Sequence, residues 1–105
     1  MKAAKLRPTA EQDLVNAASY LAQHAGQATA ERLIGNALAC LEPVQRMPGM
    51  GSPRIGQICD IPGLRSWRVT GFDMQWFYFD TPDALDVVRL LGDAQDIAAI
   101  LSQAD

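Results

Sequence analysis

Between Gly63 and Leu101 three apolar runs follow one another, and only short turn signals separate them. Leu64 to Thr70, Met74 to Phe79 and Leu85 to Leu91 are rich in the β-branched and aromatic residues that suit a pleated, half-buried surface. The breaks, Gly71-Phe72-Asp73 and Thr81-Pro82-Asp83-Ala84, are short enough to require hairpin connections. This stretch holds both tryptophans, all three phenylalanines and the arginines Arg65, Arg68 and Arg89, each set among apolar neighbours. A chain carrying it is committed to a three-stranded antiparallel meander, and the residues before it must cover that sheet.

Alternation in the first run puts Arg65, Trp67 and Val69 on one side and Ser66, Arg68 and Thr70 on the other. The middle run is apolar on both sides, as a central strand covered on both faces would be. After Gly92 the period changes to a helical one. Ile97, Ile100 and Leu101 form its apolar face, and Asp93 is the expected cap.

Upstream, Lys2 to Arg7 reads as a short strand that ends at Pro8 and needs a partner in the later sheet. Thr9 with Gln12 three residues on is a helix start of the capping-box kind. Leu14, Ala17, Ala18, Leu21 and Ala25 recur at helical spacing up to Gly26, a plausible C-terminal stop. Ala30, Leu33, Ile34, Ala37, Leu38, Leu41 and Val44 then make a second stripe, with Pro43 kinking or ending that helix. So short a connection folds the two helices into an antiparallel hairpin, and small residues on both stripes permit a close approach. Met47 to Arg54 is a Pro/Gly loop, and Ile55 to Ile61 a brief extended segment. The reading is one α+β domain over residues 1–105: N-terminal strand, α-helical hairpin, three-stranded antiparallel meander and short C-terminal helix.

Composition removes several function classes. No apolar run approaches the roughly 20 residues that span a bilayer, so no membrane association is expected. The start of the chain is charged, with no apolar segment behind it, which points away from a secretory signal and toward the cytoplasm. Cys40 and Cys59, the two cysteines, have no neighbouring ligand at metal spacing, and His24 lies in another segment, so neither a metal site nor a cofactor is expected. The net charge of −3 makes the whole molecule a poor partner for nucleic acid. Its distribution is uneven: Lys2, Lys5 and Arg7 are basic, while Asp80, Asp83, Asp86, Asp93, Asp96 and Asp105 make the last third acidic.

The layout and several short motifs resemble the ParE/RelE superfamily of bacterial type II toxin–antitoxin modules. The matching stretches are RPTAEQDLVNAASY from Arg7 to Tyr20, the Pro48-Gly49-Met50-Gly51 loop, Gly63-Leu64-Arg65 opening a strand, and Val88-Arg89-Leu90-Leu91 followed by Gln95-Asp96-Ile97. The resemblance implies a RelE/ParE-like fold and a compact toxin restrained by an antitoxin that wraps it in a hetero-oligomer. Two activities divide the superfamily. RelE-like members cut ribosome-bound mRNA, whereas ParE-like members are not nucleases and those characterised poison DNA gyrase.

The residues lean toward the second activity. Cutting RNA through the 2′-hydroxyl needs a base, an acid and cations for the phosphorane charge. Here the lysines are Lys2 and Lys5, the histidine is on the first helix, and the tyrosines are Tyr20 and Tyr78. The family often has histidine at the position of Gly92 and arginine at that of Gln95. No catalytic residue is therefore assigned. The expectation is a ParE-like toxin that inhibits gyrase by protein–protein contact and is neutralised by a ParD-like antitoxin. The alternatives are a RelE-like ribosome-dependent endonuclease and a non-toxic relic that still binds antitoxin.

Candidate contact residues follow. Arg65, Arg68 and Arg89 serve either as cations facing an acidic partner or as internal counter-ions to acids such as Asp60, Asp73 or Asp96. Trp67 and Trp76 serve either core packing or antitoxin contact, in preference to base stacking. Val15, Leu21 and Met47 are apolar side chains beyond what the sheet needs for cover, and are assigned to antitoxin contact.

Overall fold

The three apolar runs pair as the meander their spacing requires. In the computed structural model, which describes residues 1–103, they are β2 (Leu64–Arg68), β3 (Met74–Asp80) and β4 (Leu85–Gly92). Before them come β1 (Ala4–Leu6), α1 (Pro8–Ala25), α2 (Gln27–Ala39), α3 (Leu41–Arg46), a 3-10 turn (Pro48–Met50) and α4 (Arg54–Ile58); α5 (Ile97–Ser102) follows. β1 joins parallel to β4, giving the order β1-β4-β3-β2. The uneven charge distribution has a local cause in this pairing. Lys2 pairs with Asp80, and Arg7 pairs with Asp86 at 2.8 Å, so basic residues flanking β1 meet acids of the acidic third.

The sheet is covered on both faces. Against one lie the helix hairpin and α3, where Leu14, Leu33, Ala37 and Val44 pack on Trp76, Tyr78, Val87 and Leu90. Against the other lie α4 and α5, where Ile55, Ile97, Ile100 and Leu101 pack on Leu64, Phe77, Val88 and Leu91. Trp76, Phe77 and Tyr78 are successive residues and all fully buried, which accounts for the two-sided apolar pattern of this strand. The register shifts between Phe77 and Tyr78, which oppose Arg89 and Val87, so Val88 is an extra residue in β4. Simple alternation in β4 is lost there.

Three local expectations are corrected and one is made definite. Thr9 is not the cap of α1; Arg7 is, because Pro8 takes the first helical position, where its missing N–H costs nothing. Pro43 breaks the second helix as expected. Pro43 has no N–H to give the carbonyl four residues back, and its ring crowds that group, so α2 stops at Ala39 and a separate α3 begins at Leu41. The segment from Ile55 is helical, not extended: Ile55 and Cys59, four residues apart, both pack on the second core, and Pro53 and Ile55 carbonyls accept from Gln57 and Cys59. The cap of α5 is Asp96, whose side chain accepts from the Ala99 N–H at 3.1 Å, while Asp93 is engaged elsewhere. Gly26, with φ of 95°, does end α1 as expected.

Candidate protein-binding surface

The three sheet arginines are not assembled into one patch. Arg65 stands opposite Tyr78 and donates to the carbonyls of Gly49 and Gly51 at 3.2 and 2.7 Å. Arg68 is on the other face and forms a two-pronged pair with Asp93 at 3.2 and 2.6 Å, a bond that raises its pKa further. Arg89 makes the same kind of pair with Asp13 on α1, at 2.8 and 3.0 Å. The counter-groups are thus Asp93, Asp13 and two backbone carbonyls rather than Asp60, Asp73 or Asp96. Each guanidinium has a partner within the chain.

The tryptophans close the helix break made by Pro43. Trp76 is wholly buried and its indole N–H donates to the Ala37 carbonyl at 2.8 Å; Trp67 does the same for Cys40 at 2.8 Å. Carbonyls at a helix end need such donors. Trp76 therefore cannot meet a partner, and its assignment as a contact residue is corrected. Leu21 is half-buried, with part of its side chain packed against the helix-side core. Burial also pushes the Cys40 thiol up from its ordinary value.

Most of the large apolar side chains left exposed lie on the helical side, while Ile58 on α4 is 70% exposed on the other. Val15 on α1 is 56% exposed and Leu38 on α2 is 49% exposed, with Ile34 beside it one turn earlier. On the opposite flank of α2, Asn36 donates to the Thr70 carbonyl at 2.9 Å and Arg32 lies 5.3 Å over the Phe72 ring. Helical spacing therefore turns Ile34 and Leu38 away from the β2–β3 hairpin. Both belong to the stripe that helical spacing marks as the covering face. The signal against that reading was its breadth: Ala30, Leu33, Ile34, Ala37 and Leu38 span more of the helix than one sheet face covers.

Past the break further apolar side chains are exposed. Met47 is 62% exposed, and with Met50, Pro43 and Ala39 it lines a shallow cleft of about 390 Å³ whose polar residues are Glu42 and Arg46. A narrower cleft of about 110 Å³ opens on the other face of the sheet between Leu64, Phe79, Val88 and Leu101, and there Arg89 is held by Asp13. Among the described residues no group of histidine, cysteine or acidic side chains is placed to hold a metal ion. His24 sits at the end of α1 with its ring 4.2 Å from that of exposed Tyr20, on another element from the sheet arginines.

The comparisons with known proteins bear on this arrangement. The model of the ParE toxin of type II toxin–antitoxin systems (parDE) matches residues 4–97. The chain belongs to the ParE toxin family. Among solved structures, the chromosomal ParDE TA system from P. aeruginosa contains a chain similar to this one, with a TM-score of 0.75 at 16% identity, over 88% of this chain and 96% of that one. Similarity at that identity speaks for the fold. No match was found among curated proteins.

In this ParE-family chain the two departures at the end of the sheet stand next to each other. The Gly92 N–H donates to the Gln95 side chain at 2.6 Å, and the Gln95 N–H donates back to the Gly92 carbonyl at 3.0 Å. Together they form a closed turn that leads from β4 to α5. Neither group is an acid or a base in water near neutral pH.

Proposed function

We propose that this ParE-family toxin acts by gripping proteins, without enzymatic chemistry, in the cytoplasm. A ParD-like antitoxin occupies the exposed apolar side of the helix hairpin and the cleft beyond it. Freed toxin inhibits DNA gyrase by protein–protein contact and arrests growth. The observation that carries the reading is that Arg65, Arg68 and Arg89 are all committed inside the chain, while Val15, Ile34, Leu38, Met47 and Met50 are left outside. Large apolar side chains left exposed on neighbouring elements are a common mark of a protein contact. Phosphoryl chemistry would need the reverse, with free cations beside an acid/base pair.

The test is induced expression with and without the neighbouring antitoxin gene, paired with a gyrase supercoiling assay on purified toxin. Growth arrest and loss of supercoiling, both reversed by antitoxin, are the expected results. Codon-phased cuts in translated mRNA would replace this reading with the endonuclease one. Normal growth with antitoxin binding intact would mark a relic.

A further inference from the structure

Two side chains from the sheet hold the loop that follows α3. The Tyr78 hydroxyl, on a fully buried ring, donates to the Pro48 carbonyl at 2.6 Å and accepts from the Gly51 N–H at 3.0 Å. Arg65 donates to the carbonyls of Gly49 and Gly51. Four hydrogen bonds therefore fix Pro48, Gly49 and Gly51, three of the four residues of the loop, to β2 and β3. The fit is close: a methyl group on Gly51 would sit 2.3 Å from the Tyr78 oxygen. Just past the clamp Ser52 bridges to Ser66 with two backbone hydrogen bonds of 2.9 Å, which ties the loop's exit to the outer edge of β2. Met47, just before the loop, and Met50 within it both line the shallow cleft beside Pro43, and Met50 also borders a second cleft with Trp67 and Arg68.

A surface loop without such ties samples many conformations, and a partner must meet the cost of ordering it. A clamped loop presents its methionines already in place. We infer that Arg65, with Tyr78, is a positioning residue for partner binding: its guanidinium sets the Pro48–Gly51 backbone so that Met47 and Met50 form a preorganised apolar anchor site, and it does not itself meet the partner as a charge. The occupant is an apolar side chain of the antitoxin, so the inference rests on the reading above. It gives Arg65 a role different from that of a surface cation, and the two roles separate experimentally. A cation acts through charge, which lysine preserves and salt screens. A positioning fork acts through geometry, which lysine does not reproduce.

The experiment uses the whole toxin and its antitoxin. Amide exchange at Gly51 is followed in free Arg65→Lys, Arg65→Gln and Tyr78→Phe, and antitoxin affinity is measured across salt concentrations, with thermal melts to confirm folding. The expected result is faster Gly51 exchange in all three and antitoxin binding weaker by about tenfold, with an unchanged salt slope. In the Arg65→Lys background, Tyr78→Phe is expected to weaken binding less than it does alone. Arg65→Lys binding as wild type while Arg65→Gln flattens the salt slope would overturn the inference in favour of a charge contact. Faster exchange with unchanged binding would overturn it by showing that the partner ignores the loop. Val15→Asp separates the two levels: if it weakens binding and Arg65→Lys does not, this inference fails alone, and if neither does, the helix-hairpin reading fails with it.

Discussion

The carboxylate of Asp13 on α1 receives both prongs of Arg89 and, through the same oxygen that bonds Arg89 Nε, the backbone N–H of Leu90 at 3.0 Å. β1 stops at Leu6, which lies opposite Val87, so β4 has no strand neighbour beyond that point on its outer side. Asp13 supplies the missing acceptor. One side chain thus joins the first helix, the last strand and the arginine beside the extra residue of β4. Asp13→Ala would leave a guanidinium and a strand N–H without partners, and is expected to cost roughly 1–3 kcal/mol. Both groups are partly exposed, which keeps the figure below that of a fully buried pair. Removing both partners with Asp13→Leu and Arg89→Met is expected to cost less than the sum of the single changes. Urea unfolding of the four proteins measures this; additive losses would mean that the pair is not a unit.

Gly51 is fixed by space, not by backbone conformation. Its φ of −65° is open to any residue, yet a Cβ there would lie 2.3 Å from the Tyr78 hydroxyl and 2.8 Å from two ring carbons. Tyr78 is enclosed by core on all sides and has little freedom to retreat. Gly51→Ala should therefore destabilise by about 1–3 kcal/mol as an overpacking change. Tyr78→Phe in the same chain removes the nearest atom only, so a partial rescue is the expected result. A melting temperature for Gly51→Ala equal to wild type would show that the loop yields enough to relieve the contact with Tyr78.

Where the chain obeys a single period, its structure was legible. The meander from Gly63, the helix hairpin and the stop at Gly26 all follow from spacing and turn residues that act locally. Errors arose where two local signals competed. Thr9 has the better capping side chain, but Pro8 wins the first helical position; Asp93 lies nearer the strand end, but Arg68 engages it and leaves Asp96 to cap α5. Ile55 to Ile61 is short, apolar and next to proline, a composition shared by a strand and a one-turn helix. The extra residue at Val88 could not be read, because a bulge is set by the partner strand. For the candidate surface, Val15 and Met47 follow from counting apolar residues against available cover. The engagement of the arginines does not follow from sequence, since Asp13 is 76 residues from Arg89.

Alkaline pH should lower the stability of this chain through two groups in turn. Burial raises the Cys40 thiol above 9.0 and the Tyr78 hydroxyl above 10.0. Each group holds its proton more tightly folded than unfolded, so the folded state binds more protons at high pH. The stability this contributes is complete below pH 9.0 and is lost as pH rises through the raised folded values. Urea midpoints are expected to stay level from these two groups up to about pH 9, then fall, first through Cys40 and then through Tyr78. Cys40→Ser should remove the earlier part of the decline and Tyr78→Phe the later part. A decline of the same shape in both variants would assign it to other groups.

Position 92 offers the sharpest functional prediction, because the family often places histidine where this chain has glycine. The site has room: a Cβ on Gly92 would meet the Gln95 side-chain oxygen at 3.5 Å and the Asp73 carbonyl at 3.7 Å, both ordinary contacts. Glycine at the end of a strand forgoes packing and conformational restriction, so Gly92→Ala is expected to stabilise by about 0.5–1 kcal/mol. Gly92→His should fold equally well, with its ring in solvent beside the turn closed by Gln95. If gyrase inhibition uses this corner of the sheet, histidine restores a contact that alanine does not. Growth arrest at matched soluble expression should then rank Gly92→His above Gly92→Ala, with the alanine variant equal to wild type. Equal arrest by all three would remove position 92 from the target surface, and a loss of more than about 2 kcal/mol in either variant would contradict the open geometry.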